Sequence, residues 1–382
     1  MWLILVKSRR ALFAIVVITG SACAAQQLRA GSDGRSKNQI VVGAIRWDAW
    51  HGDRSDVSKA VERSLSPPQW HYRLPFFARI VNDDDAYIDD ASQAVMDEEI
   101  DYAETARLNY WAFLLYDEDS PMTLGLKYYL SSRRKAGLRF CVIVELAQWK
   151  TPELAAKQSE RVADLMTRPE YQMVEIRRPL LYVLDNGMDA DAAPDEPWAR
   201  KRPAAALAQL RALVRRKGAG DPYVVIQDWR PRRANELRMK LHGDAISSYS
   251  YQRDGKNAPF SQLAEETERF WDECRAMDSA VVPVVMTGWD RRPRVEQPVF
   301  WESWQKPDIG IDKFYRAPSP AELSHHLADA LAWIRAHPGA APARVVLIYA
   351  WNENDEGGWL VPTFGEGRRR LQAVRNVLQT DH

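Results

Sequence analysis

The C-terminal stretch RVVLIYAWNENDEGGWLVPTFGEG, residues 344–367, joins a strand-like run to a cluster of acids, aromatic residues and glycines. Residues 345–349 are apolar and mostly β-branched, which predicts a buried strand. The apolar run ends abruptly at Trp351, where the acids and amides begin. In an α/β protein the residues just beyond a buried parallel strand commonly carry the chemistry. Glu353 and Glu356 are therefore the first candidates for catalytic residues.

Seven more strand-like segments precede this one, and helix-like segments alternate with them. The eight predicted strands are Ile40–Trp47, Trp111–Tyr116, Arg139–Leu146, Pro179–Leu184, Tyr223–Gln227, Ala245–Tyr249, Val281–Thr287 and Val345–Tyr349. Mostly apolar strands, each followed by a helix, are typical of a parallel barrel whose strands are buried on both faces. Residues 39–382 are thus predicted to form a single-domain α/β protein, a (β/α)8 TIM barrel. The alternative is an open doubly wound sheet, but no glycine-rich phosphate turn follows the first strand.

The strongest helix signal follows Pro318. Ser319 is a candidate N-cap, Pro320 fits the first helical position, and Glu322 completes a capping box. An apolar stripe continues the helix at Leu323, Leu327, Ala330, Leu331 and Ile334. A last helix is predicted over about residues 367–378.

The amino-acid composition limits the possible classes of function. The 382 residues are 46% hydrophobic and 27% charged, which is ordinary for a globular protein with a large core. Lys+Arg and Asp+Glu are both 52, so no net field recruits nucleic acid, and binding to nucleic acid is disfavoured. The 15 Trp are unusual, because indole rings suit stacking on the apolar faces of sugars. For any single Trp, a place in the core is still the commoner outcome.

The N-terminus resembles a secretory signal. Basic residues precede an apolar run over residues 11–18 that is too short for a membrane span, and small residues follow. Residues 1–25 are therefore predicted to be a signal peptide and residues 26–38 a linker, with the mature protein periplasmic or extracellular. Cys23 follows Gly-Ser-Ala and is a candidate lipid-anchor site. Cys141 and Cys274 are expected to be buried thiols rather than a disulfide.

If the barrel forms, the residues beyond its strands collect at one end. Aromatic residues and hydrogen-bonding acids dominate there, and such a cleft suits a neutral carbohydrate better than a phosphate. The candidate substrate-binding residues are Trp50, His51, Tyr116, Glu145, Asp185, Tyr249, Tyr251, Trp289, Trp351 and Asn352. Several have a structural alternative: Glu145 or Asp185 could anchor an arginine, and the tyrosines could cap the barrel. No metal site and no cofactor are predicted.

These residues carry a resemblance to the glycoside hydrolase family 99-like proteins, which include the WbsX-like domains. The family motif of the form Trp-Asn-Glu-x-x-Glu-Gly is matched by residues 351–357, and WDAWHG at 47–52 and RLPFFA at 73–78 also resemble the family. The chain departs from the commonest pattern at Asn354, where the family has Trp, and at Val361, where it often has Glu. These departures bear on substrate specificity.

The resemblance implies a retaining hydrolase of α-linked glycans, endo-α-mannosidase-like, that needs no metal. It implies that Glu356 is the general acid/base and that Glu353 assists the sugar's 2-hydroxyl in attacking the anomeric carbon. Chemistry independent of the family agrees in outline, because glycoside hydrolysis ordinarily uses two carboxyl groups, one of them with a raised pKa.

Three classes of function remain open at this stage. The leading hypothesis is an exported glycoside hydrolase acting on a mannan-like or surface polysaccharide. The second is a glycan-binding or polysaccharide-assembly protein without the chemistry, which the residue at Asn354 favours. The third is a WbsX-like glycosyltransferase, which export disfavours because sugar nucleotides are cytoplasmic.

Overall fold

A computed structural model describes residues 39–135, 137–185 and 197–380. The predicted signal peptide (residues 1–25), the linker (residues 26–38) and Cys23 lie outside these ranges. Residues from Ile40 onward form one compact unit. In the described ranges no helix is both long and apolar enough to span a bilayer.

A parallel sheet runs through this unit. Its strands are β1 Val41–Arg46, β2 Tyr110–Leu114, β3 Arg139–Glu145, β4 Arg178–Leu184, β5 Tyr223–Gln227, β6 Ala245–Ser247, β7 Ala280–Val281, β8 Val284–Met286 and β9 Val345–Tyr349. Their order in the sheet is β7-β6-β5-β4-β3-β2-β1-β9-β8, and every pair along it is parallel. A short segment, Met173–Val174, adds to β4 antiparallel. The α/β class and the parallel sheet predicted from the sequence are confirmed.

Helices cover the connections between strands. They are α1 Asp56–Leu65, α2 Gln93–Thr105, α3 Leu124–Ser131, α4 Pro152–Met166, α5 Pro197–Arg216, α6 Pro231–Leu241, α7 Phe260–Arg275, α8 Arg292–Glu296, α9 Pro320–Ala336 and α10 Arg369–Thr380. Every residue of β1, β2, β5 and β9 is buried, as expected for strands covered on both faces. The core is therefore the sheet together with the helix faces packed on it.

The seventh predicted strand, Val281–Thr287, is wrong as one continuous strand. It is divided at Pro283, which has no N–H to donate to a ladder. The first part, β7, pairs with β6, and Val282 N–H continues that contact with a 2.9 Å bond to the Ile246 carbonyl. The second part, β8, pairs with β9, and the Pro283 carbonyl accepts from Leu347 N–H at 3.0 Å. The strands at the two ends of the sheet order, β7 and β8, therefore both belong to one segment of seven residues, 280–286.

Helix α9 confirms the capping box and the apolar stripe that were predicted after Pro318. The Ser319 side chain accepts from Glu322 N–H at 3.2 Å, and the Glu322 carboxylate accepts from Ser319 N–H at 2.8 Å. All five residues of the predicted apolar stripe are buried. Cys141, in β3, and Cys274, in α7, are buried free thiols, as predicted.

Candidate active site

The two candidate acids flank a tight turn beyond β9. Asn352–Glu353 pairs antiparallel with Gly358–Trp359, and residues 354–356 form a single 3-10 turn between them. Gly357 closes the turn with φ of 89°, in the left-handed region that glycine adopts without strain. A Cβ there would also lie 2.5 Å from the Asp290 nitrogen. The backbone geometry therefore requires the glycine that follows Glu356.

Both acids line a cavity of about 450 Å³. Four of the predicted substrate-binding residues line it as well: Tyr116, Glu145, Tyr249 and Trp289. The structure adds lining residues that were not among the predicted ones, chiefly Trp47, Arg294, Phe300 and Trp301. The result is a cleft with aromatic walls and three carboxyl groups.

Glu353 is almost completely buried. Its Oε1 accepts from the Tyr249 hydroxyl at 2.6 Å, and its Oε2 lies 3.7 Å from Arg294 Nη2, beyond hydrogen-bond length. Burial and the nearby charge of Glu356 raise the pKa of Glu353 well above its ordinary value, and the arginine only partly offsets them. This carboxyl group therefore holds its proton more tightly than an exposed glutamate.

Glu356 has the opposite environment. Its Oε1 accepts from Arg294 Nη1 at 2.5 Å and lies 3.2 Å from Arg291 Nε, while the Tyr349 hydroxyl donates to Oε2 at 2.5 Å. Burial works to raise the pKa of Glu356, but the two guanidinium charges and the tyrosine hydrogen bond outweigh it and lower the pKa. Glu356 is thus the ionised member of the pair.

Arg294 organises the electrostatics of the cavity. This buried side chain binds Asp355 with Nε at 2.6 Å and Nη2 at 3.1 Å, in addition to its contact with Glu356. Its guanidinium also lies 5.3 Å from the ring of Trp47 and 5.7 Å from that of Trp301. A planar group with five donors suits such a junction, where lysine could reach fewer partners. Arg294 therefore contacts two acids of the turn, Asp355 and Glu356, and also two tryptophans that line the cavity.

Two predicted residues support the cavity without lining it. Asn352 accepts from Trp47 N–H at 2.9 Å and donates to the Trp47 carbonyl at 2.7 Å, which fixes the backbone of a lining residue. Trp47 in turn donates from its indole N–H to the Tyr116 hydroxyl at 2.8 Å. Trp351 is fully buried, and its indole N–H donates to Glu99 at 2.8 Å.

The other four predicted binding residues lie away from the cavity lining. Trp50 is buried against Phe77. His51 is buried with Nε2 2.7 Å from the Ser55 hydroxyl, and burial lowers the pKa of His51 to about 4. Asp185 is paired with Arg233 at 2.8 Å. Tyr251 lines a different cavity, together with Trp229 and Arg253.

Asn354, where the chain differs from the family motif, lies in the 3-10 turn between the two acids. Asn354 is buried, and its side-chain amide donates to the Arg73 carbonyl at 2.6 Å. Arg73, which opens the RLPFFA segment, donates back to the Asn354 carbonyl at 3.3 Å. This residue therefore holds the turn that carries Glu353 and Glu356 against that segment rather than lining the cleft.

Most of the lining residues that were not predicted come from the region between β8 and α9. Phe300, Trp301 and Trp304 form an aromatic-rich run that could have indicated a sugar-stacking loop. Arg294 gave no such signal, because its importance depends on acids about 60 positions further along the chain. Trp47 ends the first predicted strand, but nothing local shows that its side chain lines the cleft.

A solved glycosidase shares this fold. The chain superposes on the GH99 endo-α-mannosidase from Bacteroides thetaiotaomicron with a TM-score of 0.54 and 12% sequence identity, over 89% of this chain and 96% of that one. The same enzyme in complex with bis-tris propane gives a TM-score of 0.54 at 11% identity, with the same coverage. These values establish a GH99-like fold. No protein-family model matches the sequence, and a search of curated proteins found no match.

Proposed function

We propose that this protein is a glycoside hydrolase that uses Glu353 and Glu356 as its catalytic pair. The observation that carries the proposal is the opposite electrostatic environment of two carboxyl groups in one aromatic-walled cavity. Glycosidases need one carboxyl group that is protonated and one that is ionised, and environments that push two pKa values apart provide such a pair. The GH99-like fold supports the same class of reaction.

The proposed substrate is a neutral, α-linked polysaccharide of mannan type, cleaved with retention of configuration. Trp47, Trp289 and Trp301 offer rings that can stack on pyranose faces, and Glu145 offers a carboxylate to bind hydroxyl groups. The mannan and the stereochemistry follow from the family resemblance and from the GH99 enzyme that shares the fold. We propose likewise that the segment of β7 and β8 closes the sheet into a full barrel, with this cleft at the carboxyl ends of its strands.

The local electrostatics and the family resemblance assign different roles to the two acids. The resemblance implies that Glu356 donates the proton to the leaving oxygen. Glu356 is held as an anion by Arg294 and Arg291, whereas Glu353 has the raised pKa. We therefore propose that Glu353 is the proton donor and that Glu356 acts as the anion, as nucleophile or as base for the 2-hydroxyl.

The first test is product release from α-linked mannans and bacterial surface polysaccharides, followed by mass spectrometry. We expect the purified protein to release oligosaccharides, and Glu353→Gln and Glu356→Gln each to lower turnover about 100-fold or more while retaining fold and glycan binding. Glu236→Gln, an exposed change on α6, is the matched control and should leave turnover unchanged. Binding by the wild-type protein without any product would contradict the proposal and favour a glycan-binding protein.

A glycosyl fluoride of the released sugar separates the two roles, because fluoride leaves without a proton. Loss of the proton donor should spare this substrate, and loss of the anion should not. We expect Glu353→Gln to keep substantial fluoride hydrolysis and Glu356→Gln to lose it. The opposite result would restore the assignment implied by the resemblance.

We also propose that the protein is exported, on the evidence of residues 1–25, and that Cys23 is a candidate for lipidation. N-terminal sequencing and intact mass of the protein from a bacterial host check both points. A start between residues 23 and 26 is expected, and a fatty-acyl mass on Cys23 would identify a lipoprotein. A protein that keeps Met1 would contradict export by this route.

A further inference from the structure

A second cavity, of about 590 Å³, is built by the segment that also reaches the catalytic cleft. Tyr249 and Ser250 line the catalytic cleft, and the next two residues, Tyr251 and Gln252, line this second one. Its other wall begins at Trp229, just beyond β5. Both walls follow the carboxyl ends of parallel strands, as the turn of Glu353 and Glu356 does. We refer to this space as the Trp229 cavity.

The central feature of the Trp229 cavity is an exposed aromatic ring beside an arginine whose position is fixed. Trp229 is 58% exposed, although large aromatic side chains in this chain are mostly buried. The Arg230 guanidinium lies 5.2 Å from the ring centroid and is itself held by the buried Asp228, at 2.9 Å from Nε and 2.8 Å from Nη2. An indole that is open to solvent in a cavity with several charged side chains is suited to stack on a sugar ring.

The charges around this ring are balanced. Arg253 is paired with Glu273 at 2.9 Å and also donates to the Tyr251 hydroxyl at 3.0 Å. Arg232 and Asp254 both line the cavity, and neither forms an ion pair with another residue of the described chain. One cation and one anion are therefore left to interact with a ligand. Such a set can donate to and accept from hydroxyl groups, but it has no excess charge with which to select an acidic sugar.

We propose that the Trp229 cavity binds a neutral pyranose unit of the same polysaccharide whose cleaved bond lies at Glu353 and Glu356. This proposal rests on the proposed function, because it places a second contact along one glycan chain. Trp229 stacks on the sugar, and Arg232 and Asp254 bind its hydroxyl groups. A long chain then binds through two contacts and a disaccharide through one, so the second contact selects for chain length.

Calorimetric titration tests this with α-mannan and with an α-linked mannobiose. The Glu356→Gln protein serves as background, so that neither ligand is consumed. We expect Trp229→Ala to weaken α-mannan binding about three- to tenfold, the range of one aromatic stacking contact, and to leave mannobiose binding unchanged. Trp229→Phe should keep most of the affinity, because it keeps a stacking face. Met239→Ala, an equally exposed apolar position on α6, should change neither affinity.

Several results would overturn the proposal. These are no loss of α-mannan affinity in Trp229→Ala, an equal loss for the disaccharide, or no binding of α-mannan by the parent protein. Tighter binding of a polyuronate such as alginate, lost in Arg232→Gln, would overturn the assignment to neutral sugars. Wild-type binding of α-mannan without hydrolysis would reject the hydrolase, while the two-contact binding could still be measured.

Discussion

At the scale of residues, the two acids differ because different segments surround them. Glu353 receives one hydroxyl hydrogen bond and is otherwise enclosed, whereas Glu356 receives two arginines and a hydroxyl. Burial disfavours the charge on both, and only Glu356 has enough positive charge nearby to reverse the effect. The same contacts that shift the pKa values therefore also change the stability of the fold with pH.

The sign of each effect follows from the direction of its pKa shift. The raised pKa of Glu353 gives stability that is complete below the unfolded pKa, about 4.3, and is lost as pH rises toward the folded pKa. The Glu353→Gln side chain does not titrate, so the variant does not lose this stability at high pH. Its amide oxygen can still accept from the Tyr249 hydroxyl. We expect its free energy of unfolding to equal or exceed that of the wild type at pH 8, with an advantage that disappears near pH 4.

Glu356→Gln should behave in the opposite way. The lowered pKa of Glu356 gives stability that is present above about pH 4.3 and is lost as pH falls through the folded pKa. The variant leaves Arg291 and Arg294 with one carboxylate fewer, so we expect a loss of about 1–3 kcal/mol at pH 7 that shrinks in acid. Urea titrations from pH 4 to pH 8 check both variants, and parallel pH profiles would contradict the separation of the two environments.

At the scale of elements, helix α9 shows how local chemistry fixes a boundary. Ser319, Pro320 and Glu322 satisfy the first turn by themselves, and the apolar stripe then directs one face into the core. The strand predicted over Val281–Thr287 shows the limit of such patterns. Its apolar run is continuous, yet Pro283 divides it and its two parts pair with different neighbours.

Removal of the N-cap tests the first of these statements. Ser319→Ala loses the acceptor for Glu322 N–H, and we expect a loss of about 1 kcal/mol in the free energy of unfolding, without a change in glycan binding. Ser319→Asp should retain most of the stability, because its carboxylate can cap the same turn. Chemical denaturation of the three proteins gives the comparison. Equal stability of wild type and Ser319→Ala would show that the cap contributes nothing.

At the scale of the whole molecule, one buried arginine connects the first strand to the last. Arg46, at the end of β1, donates to Asp48 at 2.6 Å and to Glu99 at 2.8 Å, and Glu99 accepts from Trp351 beyond β9. Burial alone would lower the pKa of Arg46, but these carboxylates raise it above its ordinary value. The network thus places Trp351, at the start of the turn that carries Glu353 and Glu356, relative to the rest of the sheet.

Loss of this arginine should destabilise the entire fold. Arg46→Met leaves buried carboxylates without a counter-ion, and we expect a loss of about 3–5 kcal/mol. Arg134→Met removes an exposed pair with Asp101 and should change stability by no more than about 0.5 kcal/mol. Urea denaturation of both variants checks this, and similar small losses would mean that the Arg46 network has little influence on folding.

The sequence by itself determined the α/β class, nearly all the strands, helix α9 and the two acids beyond the last strand. Those features depend on apolar periodicity, caps and turns within a few residues, which local chemistry controls. Tertiary structure alone decided that Tyr249 lines the same cleft as Glu353 and Glu356, while Tyr251, two positions on, lines another cavity. It also decided that Arg294 meets Glu356, 62 positions away, and so separates the two pKa values. Burial and Coulomb interactions depend on distance in space, and no local pattern in the chain encodes that distance.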